Sequence, residues 1–348
     1  MKKIILLFFF AFFMCSCMAE NLISDNNKDL NILTLSSSPL KEGNNLWVGT
    51  FQLVFNDMKE NVLKLDKIEF VGEDQTLELK GLNNKEFDST MLNESSYYTS
   101  YGKTSPKAKE EINKGIRKKF SEKSDIVNSL DWSEGKGRYY AYAMLKKSFS
   151  FKSAFDELEK DSFNGSANKF DYFGISSKSK KQLDDNVRVL YYNDKNDYAV
   201  SLLTKEGDIV YLYRYDNISS LQSGYKRMLA QSENFRETRS FQELDTLKIP
   251  NLKIKGQKDY KELCNKQIKG TDLYFSTALE TIELDLDRKG GKVKSEAILM
   301  TELMMALPQE TQKPRHFDFD KPFVLFLIDK DKNDPYLALF VKNLSNLQ

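Results

Sequence analysis

The hydrophobic residues of this chain recur with two different periods, and together these periods predict a mixture of helices and strands. The first helix is predicted from Asn45 to Leu63, where apolar residues follow one another at three- and four-residue steps, as on one helix face. A second helix is predicted from Ser105, a suitable N-cap residue, with Pro106 at the first helical position. The apolar face of the first helix would consist of Trp47, Phe51, Val54, Phe55, Met58 and Val62.

The clearest strands form a meander in the middle of the chain. Its three apolar runs are Val187–Tyr192, Tyr198–Thr204 and Ile209–Tyr215. Short polar turns at Asn193–Asn196 and Lys205–Asp208 separate them, which is the usual signature of antiparallel strands joined in sequence.

The remaining elements alternate irregularly between strand and helix. Mixed runs of this kind, without regular βαβ alternation, favour an α+β fold. The predicted elements are a β-rich stretch at Lys67–Leu82, a strand or helix at Arg138–Phe151, a helix carrying Phe155, Leu158 and Phe163, a short strand at Leu247–Lys255 broken by Pro250, a helix at Tyr260–Ile268 and a long strand at Leu273–Asp287.

The last quarter of the chain has the layout most suggestive of a functional region. After the strand that ends at Asp287 come a glycine pair, Gly290–Gly291, and a predicted exposed loop at residues 288–316. A strongly apolar run from Phe323 to Val341 follows, divided by a charged hairpin turn. Long loops inside compact domains are uncommon and are usually functional or disordered.

The N-terminus has the features of a targeting segment. Lys2 and Lys3 precede an apolar run, Ile4–Met14. This run is too short to span a bilayer, because a spanning helix needs roughly 20 residues. The short sequence that ends at Cys17, with a small residue directly before the cysteine, resembles a bacterial lipobox. It predicts lipidation at Cys17 and anchoring to the bacterial membrane. The alternative is ordinary cleavage after Ala19 and secretion. We therefore predict a signal peptide at residues 1–17, a flexible tether at 18–44 and one domain at 45–345.

Composition narrows the range of functions. Of 348 residues, 40% are hydrophobic, enough for a sizeable core, and 52 basic residues nearly balance 51 acidic ones, so no nucleic-acid partner is expected.

The single histidine, His316, lies in a polar stretch and is expected to be exposed. Cys264 is expected to be a core thiol on an apolar helix position. No phosphate-binding glycine motif occurs, and no metal or other cofactor is predicted. The chain is not expected to be an enzyme.

Three segments resemble the serpin superfamily. Leu273–Gly290 is similar to the strand that leads into the serpin reactive loop, and Phe317–Ile328 is similar to the strand and hairpin after that loop. Leu247–Ile254 resembles the family's preceding strand. This resemblance implies a serpin-like α+β fold with large mixed and antiparallel sheets, helices packed on them and an exposed loop near the C-terminus. The chain departs from the family at Arg288, where serpins have a glutamate, and at Leu339–Phe340, where they have Gly-Arg.

The resemblance implies that a protease would cut the 288–316 loop and that its first part would then insert into a sheet. Alternate residues of an inserted strand face the core, so they must be small or apolar. If the segment from Gly291 onward were a strand, one of its faces would carry no charge and the other would carry lysines and a glutamate. A permanent, half-buried strand would show the same alternation, so this pattern does not by itself distinguish the two interpretations. The predicted hinge comprises Arg288, Lys289, Gly290, Gly291, Lys292, Val293, Ser295 and Ala297. The predicted bait bond joins Met304 and Met305.

Three functional hypotheses follow. The first is an envelope-anchored, serpin-like protein that inhibits extracellular or envelope proteases with the 288–316 loop as bait. The second is a non-inhibitory surface lipoprotein that uses the same fold as a binding or adhesion scaffold. The third, a hydrolase built on scattered carboxylates, has no motif in its favour.

Overall fold

In the computed structural model, residues 29–124, 126–292 and 314–348 are described. The strands of this part of the chain are β1 (Leu30–Ile32), β2 (Asn44–Val48), β3 (Tyr97–Lys103), β4 (Tyr139–Leu145), β5 (Ser148–Ser150), β6 (Asp156–Asp161), β7 (Phe170–Ile175), β8 (Val187–Asp194), β9 (Asp197–Leu203), β10 (Ile209–Arg214), β11 (Thr246–Pro250), β12 (Leu252–Asp259), β13 (Leu279–Asp287), β14 (Gly290–Lys292), β15 (His316–Asp318), β16 (Phe323–Ile328) and β17 (Pro335–Val341).

Helices are fewer than strands in the described residues. Four are α-helical, and the first of them continues directly into a π-helical turn at Met58–Val62. The α-helices are α1 (Thr50–Asp57), α2 (Leu77–Asn83), α3 (Pro106–Phe120) and α4 (Leu221–Asn234). Single 3-10 turns lie at Ser89–Met91, Glu94–Ser96, Lys181–Asn186 and Lys261–Leu263.

The largest sheet has seven strands in the order β1-β2-β17-β16-β10-β9-β8. Strands β8, β9 and β10 pair antiparallel in sequence order, which confirms the predicted meander. All residues of β16 are buried, and so are all but the first of β17. A strand buried on both faces reads as a continuous apolar run, which explains the strongly hydrophobic end of the chain.

Two four-stranded sheets and one strand pair complete the fold. One sheet has the order β15-β11-β7-β6, and the other has the order β12-β13-β14-β5. Strands β3 and β4 form a separate antiparallel pair. Antiparallel pairs predominate, with parallel pairing of β1 to β2 and of β11 to β15. The predicted α+β class, with mixed and antiparallel sheets and helices packed on them, is confirmed.

Helix α3 covers one face of the β3–β4 pair. Its buried residues include Ile112, Ile116 and Phe120, spaced by four, and they share a core cluster with Tyr142 of β4. The helix begins as predicted, because the Ser105 hydroxyl accepts a hydrogen bond from the backbone N–H of Ala108 at 3.0 Å and a proline follows the cap. Its remaining face carries the lysines, which are mostly exposed.

The predicted helix at Asn45–Leu63 is wrong in its first part. Residues Asn44–Val48 form β2, all of them buried, and Leu46 pairs with Leu339 of β17. The helix starts only at Thr50, after Gly49. A short apolar run can belong to a buried strand or to the first turn of a buried helix. Its spacing alone therefore did not distinguish the two for residues 44–48.

The prediction that Lys67–Leu82 is rich in strands is also wrong, because the end of this stretch forms helix α2. The side chain of Thr76 accepts a hydrogen bond from the backbone N–H of Leu79 at 3.1 Å and so caps the helix. Leu79 and Leu82 are buried on the same helix face, whereas Leu77 is 76% exposed. The alternation of Leu77 and Leu79 imitated a strand, although only the three-residue spacing of Leu79 and Leu82 carries the core contacts.

Two further predicted helices are extended chain. The segment with Leu158 forms β6, which pairs with β7, while Phe155 and Phe163 are buried at its two ends. The stretch Tyr260–Ile268 contains only the 3-10 turn Lys261–Leu263, and beyond it isolated bridges join the chain to residues 274 and 275. Cys264 therefore lies half-buried after the turn rather than on a helix.

Residues 29–44 belong to the folded structure and not to the predicted tether at 18–44. β1 pairs in parallel with β2, and Leu33 and Leu35 after it are 2% and 4% exposed. These few apolar side chains are buried in two different core clusters despite the polar composition around them. The predicted signal peptide, Cys17 and Ala19 lie outside the described residues. Among the described residues no helix is long and apolar enough to cross a membrane.

Candidate functional site

Strand β13 leads into the predicted loop. One of its two edges is paired along nearly its whole length, and the other is paired only in part. On one side β12 pairs with it from Leu279 to Leu286. On the other side β14 pairs only with Asp285, Leu286 and Asp287. In the described residues the second edge of β13 therefore has no strand partner from Leu279 to Leu284.

The chain reverses direction directly after β13. Asp287 accepts a hydrogen bond from the backbone N–H of Lys289 through its Oδ1 at 2.7 Å, which closes a tight turn at Arg288 and Lys289. The two turn carbonyls accept hydrogen bonds from the backbone N–H groups of Phe155, at 2.8 Å, and Phe151, at 2.9 Å. Thus the first two predicted hinge residues are fixed in a turn, and the exposed loop predicted at 288–316 does not begin there.

The next three hinge residues form β14, which lies between β13 and β5. Gly290 and Gly291 are buried, and Lys292 is exposed opposite Asp285. A Cβ atom on Gly291 would lie 2.3 Å from the ring of Phe149, and one on Gly290 would lie 2.1 Å from the carbonyl oxygen of the same residue. Only glycine fits this close approach. Val293, Ser295 and Ala297, together with Met304 and Met305, lie outside the described residues.

A buried ion cluster anchors the chain at the start of β5. The ammonium of Lys147 lies 2.6 Å from Asp208 and 2.7 Å from Asp329, and all three residues are buried. Burial raises the pKa of Asp208 to about 6, against the lowering effect of Lys147. Burial also acts to raise the pKa of Asp329, but hydrogen bonds from Lys147 and Asn93 outweigh it and hold the pKa below its usual value.

Strand β5 is further attached to the turn between β9 and β10. The backbone N–H of Ser150 donates to Oε2 of Glu206, and the backbone N–H of Lys205 donates to the carbonyl of Ser150, both at 2.8 Å. The edge that receives β14 is therefore held to the largest sheet by side-chain and backbone contacts.

A cavity of about 270 Å³ lies between β13 and β4, and α1 contributes part of its wall. Strand β4 pairs with β3 on one side, and its other edge faces the cavity without a strand partner in the described residues. Continuing β14 beyond Lys292, antiparallel to β13, would lead past Leu284 and Glu283, which line this cavity. The space beside the unpaired edge of β13 therefore begins where β14, the strand formed by the predicted hinge, ends.

Glu280 lies on the wall of this cavity near the start of β13. One of its carboxylate oxygens, Oε2, accepts a hydrogen bond from the hydroxyl of Tyr260 at 2.8 Å. The other, Oε1, is buried and has no partner at ideal hydrogen-bond geometry in the described residues, although the backbone N–H of Phe51 at the start of α1 acts on this carboxyl. Burial raises the pKa of Glu280 to about 7, against the lowering effects of the Tyr260 hydroxyl, Lys258 and the backbone N–H of Phe51.

On the far side of the predicted loop, Arg315 fixes the chain just before β15. Its guanidinium makes a buried ion pair with Asp245 at 2.6 Å and donates to the carbonyls of Thr238 and Ser240 at 3.0 and 2.8 Å. His316 follows it and is exposed, as predicted, with Nδ1 2.9 Å from the hydroxyl of Thr246. The segment between β14 and Arg315 is therefore held at both ends.

Neither a protein-family model nor a curated protein matches this chain. Among solved structures, it is similar to Serpin48, described as a highly specific serpin in the insect Tenebrio molitor. That likeness has 14% identity, a TM-score of 0.47 and coverage of 88% of this chain and 93% of the other. The chain is also similar to thyroxine-binding globulin in complex with thyroxine, with 12% identity, a TM-score of 0.45 and coverage of 85% and 98%. Because both TM-scores are below 0.5, the fold assignment rests on the chain's own sheets.

Several important residues of the site were not predicted from the sequence. The run with Asp329 suggested a charged hairpin turn, and a turn between β16 and β17 is present, but Asp329 itself is buried against Lys147. Glu280 is one acidic residue among many in the sequence. Its only local signal is its place on the apolar face of β13, in phase with Ile282, Leu284 and Leu286.

Proposed function

We propose that this chain is a serpin-like protein whose 288–316 segment is offered to proteases as bait. After cleavage, the residues that follow Lys292 would enter the sheet as a strand between β13 and β4. The conversion of a loop into a central strand is a known form of protein switching, in which new backbone hydrogen bonds and core contacts favour the inserted state.

The observation that carries this proposal is the position of β14. It already lies between β13 and β5, and the cavity beside the unpaired part of β13 continues from its end. An added strand there would form hydrogen bonds along two edges that lack a strand partner in the described residues. Strand addition to such edges is a common mode of recognition, because backbone hydrogen bonds supply affinity.

The sequence after β14 supports insertion in the same register. Gly291 is buried and Lys292 is exposed, so the uncharged set that includes Val293, Ser295 and Ala297 would face inward. With the bait bond at Met304–Met305, the protease would be one with an apolar specificity pocket.

Incubation with chymotrypsin-, elastase- and subtilisin-like proteases tests the proposal. We expect cleavage within residues 293–313, a complex that survives SDS and a rise in the thermal unfolding temperature of the cleaved protein. Cleavage with neither a stable complex nor a gain in thermal stability would contradict the inhibitory function.

A hinge variant and a matched control separate insertion from simple cleavage. Gly291→Arg cannot keep β14 in place, because its side chain would overlap the ring of Phe149. We expect this variant to be cut as a substrate without forming a stable complex. The control, Lys292→Arg, keeps an exposed cation at the next position and should behave like the unaltered protein.

A specific observation favours the second function, a non-inhibitory binding or adhesion scaffold. The turn carbonyls of Arg288 and Lys289 are already occupied by the N–H groups of Phe155 and Phe151, so the hinge is fastened before any cleavage. A pull-down from envelope or host extracts would distinguish the two functions. Recovery of the same non-protease partner by the intact protein and by the loop-cleaved protein supports the scaffold.

We also propose that the protein is exported and anchored to the bacterial membrane by lipid at Cys17. The apolar run that ends just before this cysteine supports the proposal. Metabolic labelling with a fatty acid, compared between the natural chain and Cys17→Ser, tests it. Labelling that persists in Cys17→Ser, or processing after Ala19, would favour the secreted form.

A further inference from the structure

The outer edge of β3 carries backbone groups without partners. β4 pairs with β3 on one side, and no strand pairs with its other side in the described residues. Just beyond the ends of this pair, the backbone N–H of Lys146 donates to the carbonyl of Ser96 at 3.0 Å, and that of Thr104 donates to the carbonyl of Arg138 at 3.1 Å. Hydrogen-bonded and non-bonded positions alternate along an antiparallel pair. Even-numbered residues of β3 therefore turn their backbone groups toward β4, and odd-numbered residues turn them outward.

Four residues present their N–H and carbonyl groups at this outer edge, namely Tyr97, Thr99, Tyr101 and Lys103. In the part of the chain that the structure describes, none of these groups has a hydrogen-bond partner. Tyr101 and Lys103 are exposed, and the other two residues are half-buried. A row of unpaired groups on an edge strand is a template for a further strand, because each added backbone hydrogen bond contributes affinity.

Helix α3 borders this edge on one face of the β3–β4 pair. A Cβ atom on Gly115 would lie 2.5 Å from the ring of Tyr98, so Tyr98 points toward the helix. One turn later, the ammonium of Lys119 lies 5.3 Å from the centre of the Tyr97 ring. Glu94, just before β3, acts on Lys119 through its charge but forms no ion pair with it. The side of α3 that carries Gly115 and Lys119 is therefore the side that lies along β3.

Positive charge is in excess along this side of α3. Lys118 and Lys119, in the last helical turn, are exposed, and neither forms an ion pair in the described residues. Lys107 and Glu111, nearer the start of the helix, pair with each other at 3.7 Å and largely cancel. A strand added at the outer edge of β3 would therefore meet uncompensated cations on its α3-facing side, and acidic side chains would complement them.

The opposite face of the β3–β4 pair is aromatic at its exposed end. Tyr101 is 47% exposed and Tyr139 is 38% exposed. Tyr101 pairs with Ala141 and Lys103 pairs with Tyr139, so the two tyrosines are diagonal neighbours on one face. This face points away from α3, because Tyr98 points toward the helix and side chains alternate along a strand. Apolar side chains of an added strand would find aromatic surface there.

We propose that the outer edge of β3 binds an extended segment of another protein in which acidic and apolar residues alternate. The backbone of this segment pairs with the odd-numbered residues of β3, its acidic side chains face Lys118 and Lys119, and its apolar side chains lie on the side of Tyr101. A second copy of this chain is a poorer partner. Two β3 edges joined antiparallel would place both α3 helices on the same face, with their lysines facing each other.

The proposed site is separate from the cavity between β13 and β4, which adjoins the other edge of the β3–β4 pair. The proposal therefore does not rest on cleavage or insertion of the 288–316 segment.

Fluorescence anisotropy with a labelled peptide and the full chain tests the proposal. The probe alternates glutamate and valine and has the seven-residue length of β3. The matched peptide has lysine in place of glutamate. We expect saturable binding of the acidic peptide that weakens with added salt, and roughly tenfold weaker binding of the basic peptide. Equal binding of the two peptides, or no saturable binding of the acidic one, would overturn the proposal.

A blocked peptide separates strand addition from simple charge attraction. Methylation of the amide nitrogens of the acidic peptide removes its backbone donors and leaves every charge in place. We expect this peptide to lose most of the binding. Undiminished binding would show that the backbone of β3 takes no part.

Hydrogen exchange locates the bound peptide. Exchange should slow in Tyr97–Lys103 and stay unchanged in Leu279–Asp287, the strand whose edge faces the cavity. Slowing in Leu279–Asp287 alone would place the peptide in the cavity and overturn the proposal. A concentration-dependent dimer that protects Tyr97–Lys103 without any peptide would assign the edge to a second copy, which also overturns it.

Two variants test the contacts one at a time. Thr99→Pro removes an outward N–H without removing a bond to β4, and should weaken binding of the acidic peptide roughly fivefold, whereas Thr99→Val retains the N–H and should not. Lys118→Glu should weaken binding by a similar factor. Lys195→Glu, at an exposed position in the turn between β8 and β9, is its control. Unchanged affinity in both Thr99→Pro and Lys118→Glu would contradict the proposal, and the peptide comparisons stand even if a variant does not fold.

Discussion

Gly291 of β14 lies directly against the ring of Phe149 on β5, so closely that an added Cβ atom would be 2.3 Å from the ring. The two residues are also paired across the strands, opposite Leu286 of β13. The insertion of β14 between its neighbours thus depends on the absence of a side chain at position 291.

The first prediction concerns this contact. Gly291→Ala should lower the free energy of unfolding by about 1–3 kcal/mol, because the methyl group forces the Phe149 ring out of its packed position. Hydrogen exchange should increase at the amides of β5 and β14. Lys292→Ala is the matched control, since that side chain is exposed, and it should change stability by less than about 0.5 kcal/mol. Equal effects of the two substitutions would show that the contact is unimportant.

The second prediction concerns the buried ion cluster behind β5. Lys147→Met leaves Asp208 and Asp329 buried without their cation, and should destabilise the protein by about 3–5 kcal/mol. Chemical denaturation measures the loss. The control is Lys255→Met, which removes an exposed pair with Glu283 and should cost about 0–1 kcal/mol. A loss at position 147 no larger than at position 255 would contradict the structural role of the cluster.

The third prediction is a pH dependence of stability caused by Glu280. Its pKa is about 7 in the folded protein and near the usual 4.5 when unfolded, so the folded state holds the proton more tightly. The stabilisation is complete below about pH 4.5 and is lost as the pH rises through 7, by at most about 3 kcal/mol. The difference in unfolding free energy between the natural chain and Glu280→Gln should therefore change across this window.

Glu283→Gln provides the matched comparison for that measurement. The residue lies on the same strand, but its side chain is exposed and paired with Lys255. Its difference from the natural chain should stay nearly constant between about pH 5 and pH 8. A flat difference for Glu280→Gln over the same range would refute the raised pKa.

The fourth prediction concerns Arg315, which fixes the chain at the start of β15. Lysine keeps the charge but cannot reach Asp245 and the two backbone carbonyls together, because it lacks the planar fork of the guanidinium. Arg315→Lys should cost about 1–3 kcal/mol in thermal or chemical unfolding. Arg138→Lys, at a more exposed pair with Asp131, should have little effect. If both substitutions are neutral, the anchoring role of Arg315 is wrong.

Local sequence patterns were sufficient where an element is decided by its own residues. The meander of β8, β9 and β10 was predictable because each strand is bounded by polar turns and pairs with its sequence neighbour. The start of α3 was predictable because Ser105 and Pro106 act within the first helical turn.

Other elements were decided by partners far away in the sequence. β2 is a strand because β17 at the other end of the chain pairs with it, and α2 is a helix because Leu79 and Leu82 pack into a cluster with Tyr260 and Ile268. β14 has only three residues, two of them glycines, and no local preference would form a strand from them. It exists because β5 and β13 supply hydrogen bonds on both sides.

The sequence by itself determined the α+β class, the central meander, the buried C-terminal strands and the resemblance to serpins around residues 247–341. Only the tertiary structure decided that Gly290–Lys292 of the hinge form a strand, that a cavity continues from it and that Glu280 is buried in the cavity wall. The physical reason is that turn chemistry, helix capping and residue periodicity act locally, whereas strand pairing, burial and electrostatic pairing depend on which distant segments meet.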